Sequence, residues 1–396
     1  MKQRLIVFCD GTWSGADQPS LTNVCKLREA VDESDDVAVR QIVHYEEGVG
    51  QKRWERIRGG AFGVGLSRNV QHCYEFLVER YTPDDELFFF GFSRGAFTAR
   101  SLAGLVRNSG ILRYEHRDKV KDAYRLYRSR EADDAPSESA ARDFRAKYSH
   151  ADPKITFIGV WDTVGALGIP IDGFRPPLLS DRWTFHDTTL SRSVLNAYHA
   201  ISIDERRKSF VPTLWVKKRR PDGSVEEPPG YQTVRQVWFA GVHSDVGGGY
   251  RDSALSEVPL RWIADRAHDC GLVLKPDRLV AGQEPIDGGK RRNGTEIAPD
   301  PSGRKHDSMT LFYRLLGAVD REFKTGEGIP INPSLASSVK VRSDTDPTYT
   351  APGLREWLAP DRITDLESRA ASVPEARPGA ASAGVTAMRR SGVGDK

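Results

Sequence analysis

The stretch ELFFFGFSRGAFTAR, residues 86–100, decides how the chain is read. Leu87, Phe88, Phe89 and Phe90 are consecutive large apolar residues, which suit a strand buried on both faces. Gly91-Phe92-Ser93-Arg94-Gly95 follows as a Gly-x-Ser-x-Gly pattern, and beyond it Phe97, Leu102, Leu105 and Val106 share one helical face. Strand, glycine-flanked serine and helix in direct succession are the context of a nucleophile elbow. Gly91 and Gly95 leave room where strand and helix approach closely, and the turn lifts the Ser93 hydroxyl above the sheet edge. The amide of Arg94, at the helix start, is a candidate donor to an oxyanion. The competing reading is a tight turn with a capping serine.

Similar short apolar runs occupy residues 5–9, 41–45, 155–161, 213–216 and 234–240. Helical patterns are read between them at 69–80, 96–108, 190–203 and 258–270. Strands alternating with helices predict an α/β fold, an α/β-hydrolase-like, mostly parallel sheet with helices on both faces. Three stretches break the rhythm. Residues 114–150 are charged and helical, 165–186 are rich in Gly, Pro and large apolar groups, and 218–232 read as a hairpin or exposed loop. The 165–186 segment has two readings, a satellite core or a lid and acyl-binding wall. The expectation is one catalytic domain over residues 1–368 with insertions at these three places, followed by a disordered basic tail, 369–396.

A serine nucleophile needs a base, and the base an orienting acid. Of nine histidines, His243 stands out. It follows the run 234–240 by three residues and precedes Gly247-Gly248-Gly249, just past a strand end, on the edge where α/β sites assemble. His44, His72, His116, His150, His186, His199, His268 and His306 are read as surface or satisfied core residues. Asp162 follows the run 155–161 and falls on the same edge. The order Ser93, Asp162, His243 is that of α/β-hydrolases. A capping role is the alternative for Asp162. Asp245, two residues from His243, is the rival acid and is assigned to the turn or to holding the glycine-rich loop.

The first run ends Phe8-Cys9-Asp10-Gly11-Thr12. Phe8 occupies the place where an aspartyl-nucleophile phosphatase has its first Asp, so that chemistry is excluded. The Gly11 and Thr12 amides are candidates for the second oxyanion donor, with Asp10 organising their loop.

Composition narrows the remaining classes. The net charge of +3 is carried entirely by residues 369–396, which hold five basic and two acidic residues. The body is therefore neutral and lacks the basic face that nucleic-acid binding needs. Four cysteines, Cys9, Cys25, Cys73 and Cys270, show no paired spacing, which excludes a disulfide scaffold and a CxxC zinc site. No metal ligand set and no cofactor motif is read. The N-terminal apolar run is too short for a signal peptide, and no stretch approaches a membrane span. A cytoplasmic location is expected, with export by a signal-independent route left open.

FCDGTW, GFSRGAFTAR, GVWDTVGALG, HAISIDERRKSF and VWFAGVHSDVGGGY occur in this order, and HDSM and NPSLASSVKVR follow. Together they resemble a bacterial and fungal family of uncharacterised α/β-hydrolase domains that includes type VI secretion phospholipase effectors. The resemblance covers roughly residues 1–358. It implies a Ser-Asp-His triad at Ser93, Asp162 and His243, and lipid-ester hydrolysis as in the secreted members. The expected function is a serine hydrolase of carboxylic esters, including lipids and phospholipids, that meets membranes peripherally and needs no cofactor. The alternative is a non-catalytic module of the same fold that binds a protein or lipid partner.

Overall fold

The computed structural model describes residues 2–11, 20–34, 38–48, 59–129, 134–165, 189–220, 222–275, 278–279, 297–310, 313–314, 317–323 and 328–366, with backbone alone over 59–64. Thr12, most of the proline-rich segment 165–186 and the tail 369–396 lie outside the described residues.

Within them, β1 (Gln3–Cys9), β2 (Arg40–Glu46), β3 (Glu86–Phe92), β4 (Ile155–Trp161) and β5 (Val194–Ser202) belong to one sheet. β6 (Lys218–Arg219) and β7 (Val225–Glu226) form a separate antiparallel hairpin, inside the stretch read as a hairpin or loop. β8 (Thr233–Phe239), β9 (Pro333–Ala336) and β10 (Ile363–Thr364) complete an eight-stranded sheet of order β10-β9-β8-β5-β4-β3-β1-β2. Every pairing in it is parallel.

Parallel strands must be covered on both faces, and the sequence supplies apolar residues to both. Side chains alternate across a strand. Ile6, Phe8, Phe88, Phe90 and Phe92 therefore join one core with Val24 and Leu27 of α1 (Asn23–Ala30) and Leu260 and Ile263 of α7 (Ala254–Asp269). Leu5, Val7, Leu87 and Phe89 face the other way, onto α2 (Gly59–Arg80) and α3 (Arg94–Ser109). Phe88, Phe89 and Phe90 are fully buried, each worth about 1.5–3 kcal/mol of burial. The charged stretch 114–150 forms α4 (Val120–Arg128) and α5 (Ser139–Tyr148), which bury little beyond Val120, Ala123 and Ala141.

Two expectations are corrected. Residues 190–203 were expected to be helical, but they contain β5, hydrogen-bonded between β4 and β8. Val194, Ala197, Tyr198, His199, Ala200 and Ile201 are all buried. A strand enclosed on both faces has no polar stripe, so its pattern is indistinguishable from that of a buried helix. Residues 213–216, expected as a strand, stay outside the sheet. Leu214, Trp215 and Val216 are buried, and the Gln236 side chain serves the backbone of Trp215 in place of a neighbouring strand.

The register fixes where chemistry can occur. Gly91 pairs with Cys9 and Val160, Phe92 with Trp161, and Trp161 with Ala200. The carboxyl ends of β1, β3, β4 and β5 are thus level. The chain leaves β1 to one side for β2 and crosses to the other for β3. The crevice at the ends of β1 and β3 is therefore a topological switch point, where open α/β sheets form their sites.

Candidate active site

Ser93 leaves β3 at this crevice. Its backbone is forced to φ 57° and ψ −119°, a conformation costly for a residue with a side chain. The turn is held by the Ser93 amide donating to the Trp161 carbonyl (3.0 Å) and the Phe97 amide donating to the Ser93 carbonyl (3.2 Å). The glycines are required by contact. A Cβ on Gly95 would lie 2.1 Å from the Cys9 carbonyl oxygen, and one on Gly91 would lie 2.5 Å from that of Gly95. Arg94 is the first residue of α3, and burial lowers its guanidinium pKa to about 10.

His243 opens a short helix, α6 (His243–Gly247), two residues after Gly241 at φ 105°. Its ring lies between Phe92, at 4.6 Å between centroids, and Phe210, at 4.8 Å in an edge-on contact. Nε2 is 2.8 Å from Ser93 Oγ, and Nδ1 is 2.6 Å from Asp162 Oδ2. Asp162, fully buried at the end of β4 with φ 37°, also accepts from the Ser202 amide at 2.9 Å. The structure thus brings together three residues spread over 150 positions of sequence.

Burial holds the His243 pKa below its ordinary value, against the pull of the Asp162 carboxylate, so the ring is neutral near pH 7. A neutral imidazole that donates from Nδ1 to a carboxylate presents its Nε2 lone pair to the Ser93 hydroxyl. For Asp162, burial pushes the pKa up, but Arg321 and His243 outweigh it and hold the group well below the carboxylate range.

Arg321 was not singled out from sequence. Nη1 donates to Asp162 Oδ1 at 2.6 Å and Nη2 to Oδ2 at 3.0 Å, while Nη1 also reaches the Ser202 carbonyl and Nη2 that of Phe210. No local pattern announces it, because its partners lie more than 100 residues away.

Glu205 lies in the HAISIDERRKSF stretch, where the sequence alone gives it no role. It is buried, and Oε2 accepts the His243 amide at 3.2 Å. Arg207 grips both of its oxygens at 2.9 Å, and Ser308 donates to it at 3.0 Å. Burial raises the Glu205 pKa, but these bonds and charges bring it down to about 2.

Asp245 makes no bond to the His243 ring. It accepts from the amides of Val242 and His306, each at 3.0 Å, and pairs with His306 Nδ1 at 2.6 Å, tying the glycine-rich loop to a distant segment. His306, read as a surface or satisfied core residue, stacks on Tyr250 at 3.9 Å. Asp10 accepts from Thr22 Oγ1 (2.8 Å), Tyr45 OH (2.7 Å) and the Gly11 amide (2.6 Å). The Gly11 amide is thus directed to Asp10 and is not left for an oxyanion. The other donor expected from this loop, Thr12, lies outside the described residues.

The fold and this edge define an α/β-hydrolase-like protein. The type VI secretion phospholipase effector Tle1-like catalytic domain matches residues 3–266, well over half of the chain, and the chain belongs to that family. It is similar to the uncharacterized protein YEL023C of Saccharomyces cerevisiae, 31% identical over 227 residues, covering 52% of this chain and 32% of the yeast protein. It thus spans about a third of that relative's length. Two solved structures are similar at TM-score 0.41. One is an uncharacterized protein from Pseudomonas aeruginosa, at 18% identity over 69% of this chain and 46% of that one. The other is the Tle1 effector bound to the VgrG spike of the type VI secretion system, at 15% identity over 70% and 75%. No helix among the described residues is long and apolar enough to cross a membrane.

Proposed function

We propose that this chain is a serine hydrolase that cleaves carboxylic esters of lipids through an acyl-enzyme. The observation that carries the reading is the unbroken hydrogen-bond path Ser93 Oγ–His243 Nε2 and His243 Nδ1–Asp162 Oδ2 at the sheet's carboxyl edge. Ser93 Oγ attacks the ester carbonyl carbon while Nε2 takes its proton. The charge that develops on the imidazole is met by Asp162, which Arg321 keeps ionised. The oxyanion gathers at the start of α3, with the Arg94 amide as donor. His243 then returns the proton to the leaving alcohol. Water, deprotonated by the same nitrogen, attacks the acyl-Ser93 carbonyl, and Ser93 leaves with the proton while the carboxylic acid departs.

Membership in a family of phospholipase effectors supports a lipid ester as substrate. The test is labelling with a fluorophosphonate, followed by mapping of the modified residue. The expected adduct is on Ser93 and is lost in Ser93→Ala. Labelling that persists in Ser93→Ala, or an active parent that is not labelled, contradicts the assignment. Release of fatty acid from phosphatidylglycerol or phosphatidylethanolamine vesicles separates a phospholipase from an esterase of smaller substrates.

A further inference from the structure

The seam between β2 and α2 gathers three chemically different metal donors that the chemistry of Ser93 does not use. His44 and Glu46 stand two residues apart on β2, so the period of the strand sends both side chains to one face. α2 packs against this strand and brings Cys73 to the same place. One imidazole nitrogen of His44, a Glu46 carboxylate oxygen and Cys73 Sγ lie within 4.8 Å of one another. The His44 Nε2 to Glu46 Oε2 separation is 3.4 Å. A tetrahedral zinc ion, with bonds of about 2.0–2.3 Å, sets its donors about 3.3–3.8 Å apart. This pair already stands at that spacing, and a side-chain adjustment of about 1 Å brings Cys73 to it.

The surroundings hold the donors in place, as outer-shell groups do at metal centres. The His44 ring is stacked on Phe76 at 5.0 Å. The other Glu46 oxygen lies 3.5 Å from His72 Nδ1. Cys73 Sγ is 3.8 Å from Cys9 Sγ. Cys73 is fully buried, whereas the His44 and Glu46 side chains are 25% and 13% exposed, so the cluster opens to solvent on one side.

We propose that His44, Glu46 and Cys73 bind one zinc ion, with a fourth position open to water. The donor set selects the metal class. Thiolate with imidazole and carboxylate suits zinc, while magnesium and calcium require oxygen ligands throughout. On binding, the Cys73 thiol releases its proton to solvent and its sulfur takes the metal, without electron transfer. With three protein ligands and one open position, the ion is not a closed structural centre. It joins the carboxyl end of β2 to α2 beside the loop of Asp10, whose amide donates to the Glu46 carbonyl at 3.0 Å. Cysteine spacing could not reveal this site, because its ligands come from two separate elements.

The test uses the full chain, stripped of metal and titrated with Co²⁺ as the spectroscopic probe, then with Zn²⁺ as competitor. The expected result is one equivalent bound, with the absorption of tetrahedral cobalt and a sulfur-to-cobalt charge-transfer band, both abolished by zinc. Cys73→Ser removes the charge-transfer band. His44→Ala weakens binding by more than about 100-fold, beyond the 10–100-fold typical of outer-shell changes, and His116→Ala leaves it unchanged. Cys73 is buried, so circular dichroism checks that its variant is folded; the partly exposed His44 supplies an independent variant. Absence of a tetrahedral cobalt spectrum, or a spectrum that survives in both His44→Ala and Cys73→Ser, overturns the proposal. The readout is the metal spectrum of the resting chain, so it is independent of the hydrolase assignment.

Discussion

Arg321 grips both carboxylate oxygens of Asp162, at 2.6 and 3.0 Å, from 159 residues further along the chain. The same carboxylate accepts from His243 Nδ1 at 2.6 Å. Asp162 is fully buried and Arg321 nearly so. A buried carboxylate with one neutral partner would favour its protonated form. The guanidinium prevents this and leaves Asp162 an acceptor for the imidazole.

Removing the guanidinium should therefore destabilise the chain. Arg321→Met strands a buried charge, at a cost of about 3–5 kcal/mol. Arg321→Lys keeps the charge but loses the fork, and should cost less. Urea titrations of the three proteins test this order. Equal stability of the parent and Arg321→Met would show that the pair does not hold the site.

The pH profile carries a sign. Burial holds the His243 pKa below 6.5, so the base is neutral from mildly acidic pH upward. kcat/KM for an ester should rise with pH to a half-maximum below 6.5 and then stay level through neutrality. Glu205 supplies negative charge that raises the His243 pKa, whereas Arg207 lowers it. Glu205→Gln should move the half-maximum to still lower pH. A half-maximum above 7, or a shift upward in the variant, would contradict this account of the base.

The two aspartates near His243 should separate sharply. Asp162→Asn exposes Nδ1 to an amide that can select the wrong tautomer, and a loss of about 10⁴ in rate is expected. Asp245 bonds to His306 and the loop backbone, so Asp245→Asn should mainly lower stability. Rates on a p-nitrophenyl ester, measured on folded variants, give the ranking. The reverse order would make Asp245 the acid.

Much of this was legible because it is local. The strand, glycines and serine of residues 86–95 sit together, Asp162 follows an apolar run directly, and His243 comes three residues after one. Parallel register then brings those run ends level without further information. What was hidden depends on contacts distant in sequence. Arg321 and Glu205 are recognisable only by their partners. β5 reads as a helix in sequence because burial on both faces erases the strand's alternation. The Gly11 amide is an oxyanion donor by its position in sequence, but in the fold it donates to Asp10.

The central claim is that Ser93 and His243 act as one unit on an ester carbonyl. The most direct measurement is the hydrolysis rate of a p-nitrophenyl ester by the parent, Ser93→Ala, His243→Ala and the double variant, with folding checked by circular dichroism. The account predicts that each single variant loses about 10⁴–10⁶-fold in kcat and that the double variant loses little more, as for residues acting together. Near-parental rate in either folded single variant would contradict it.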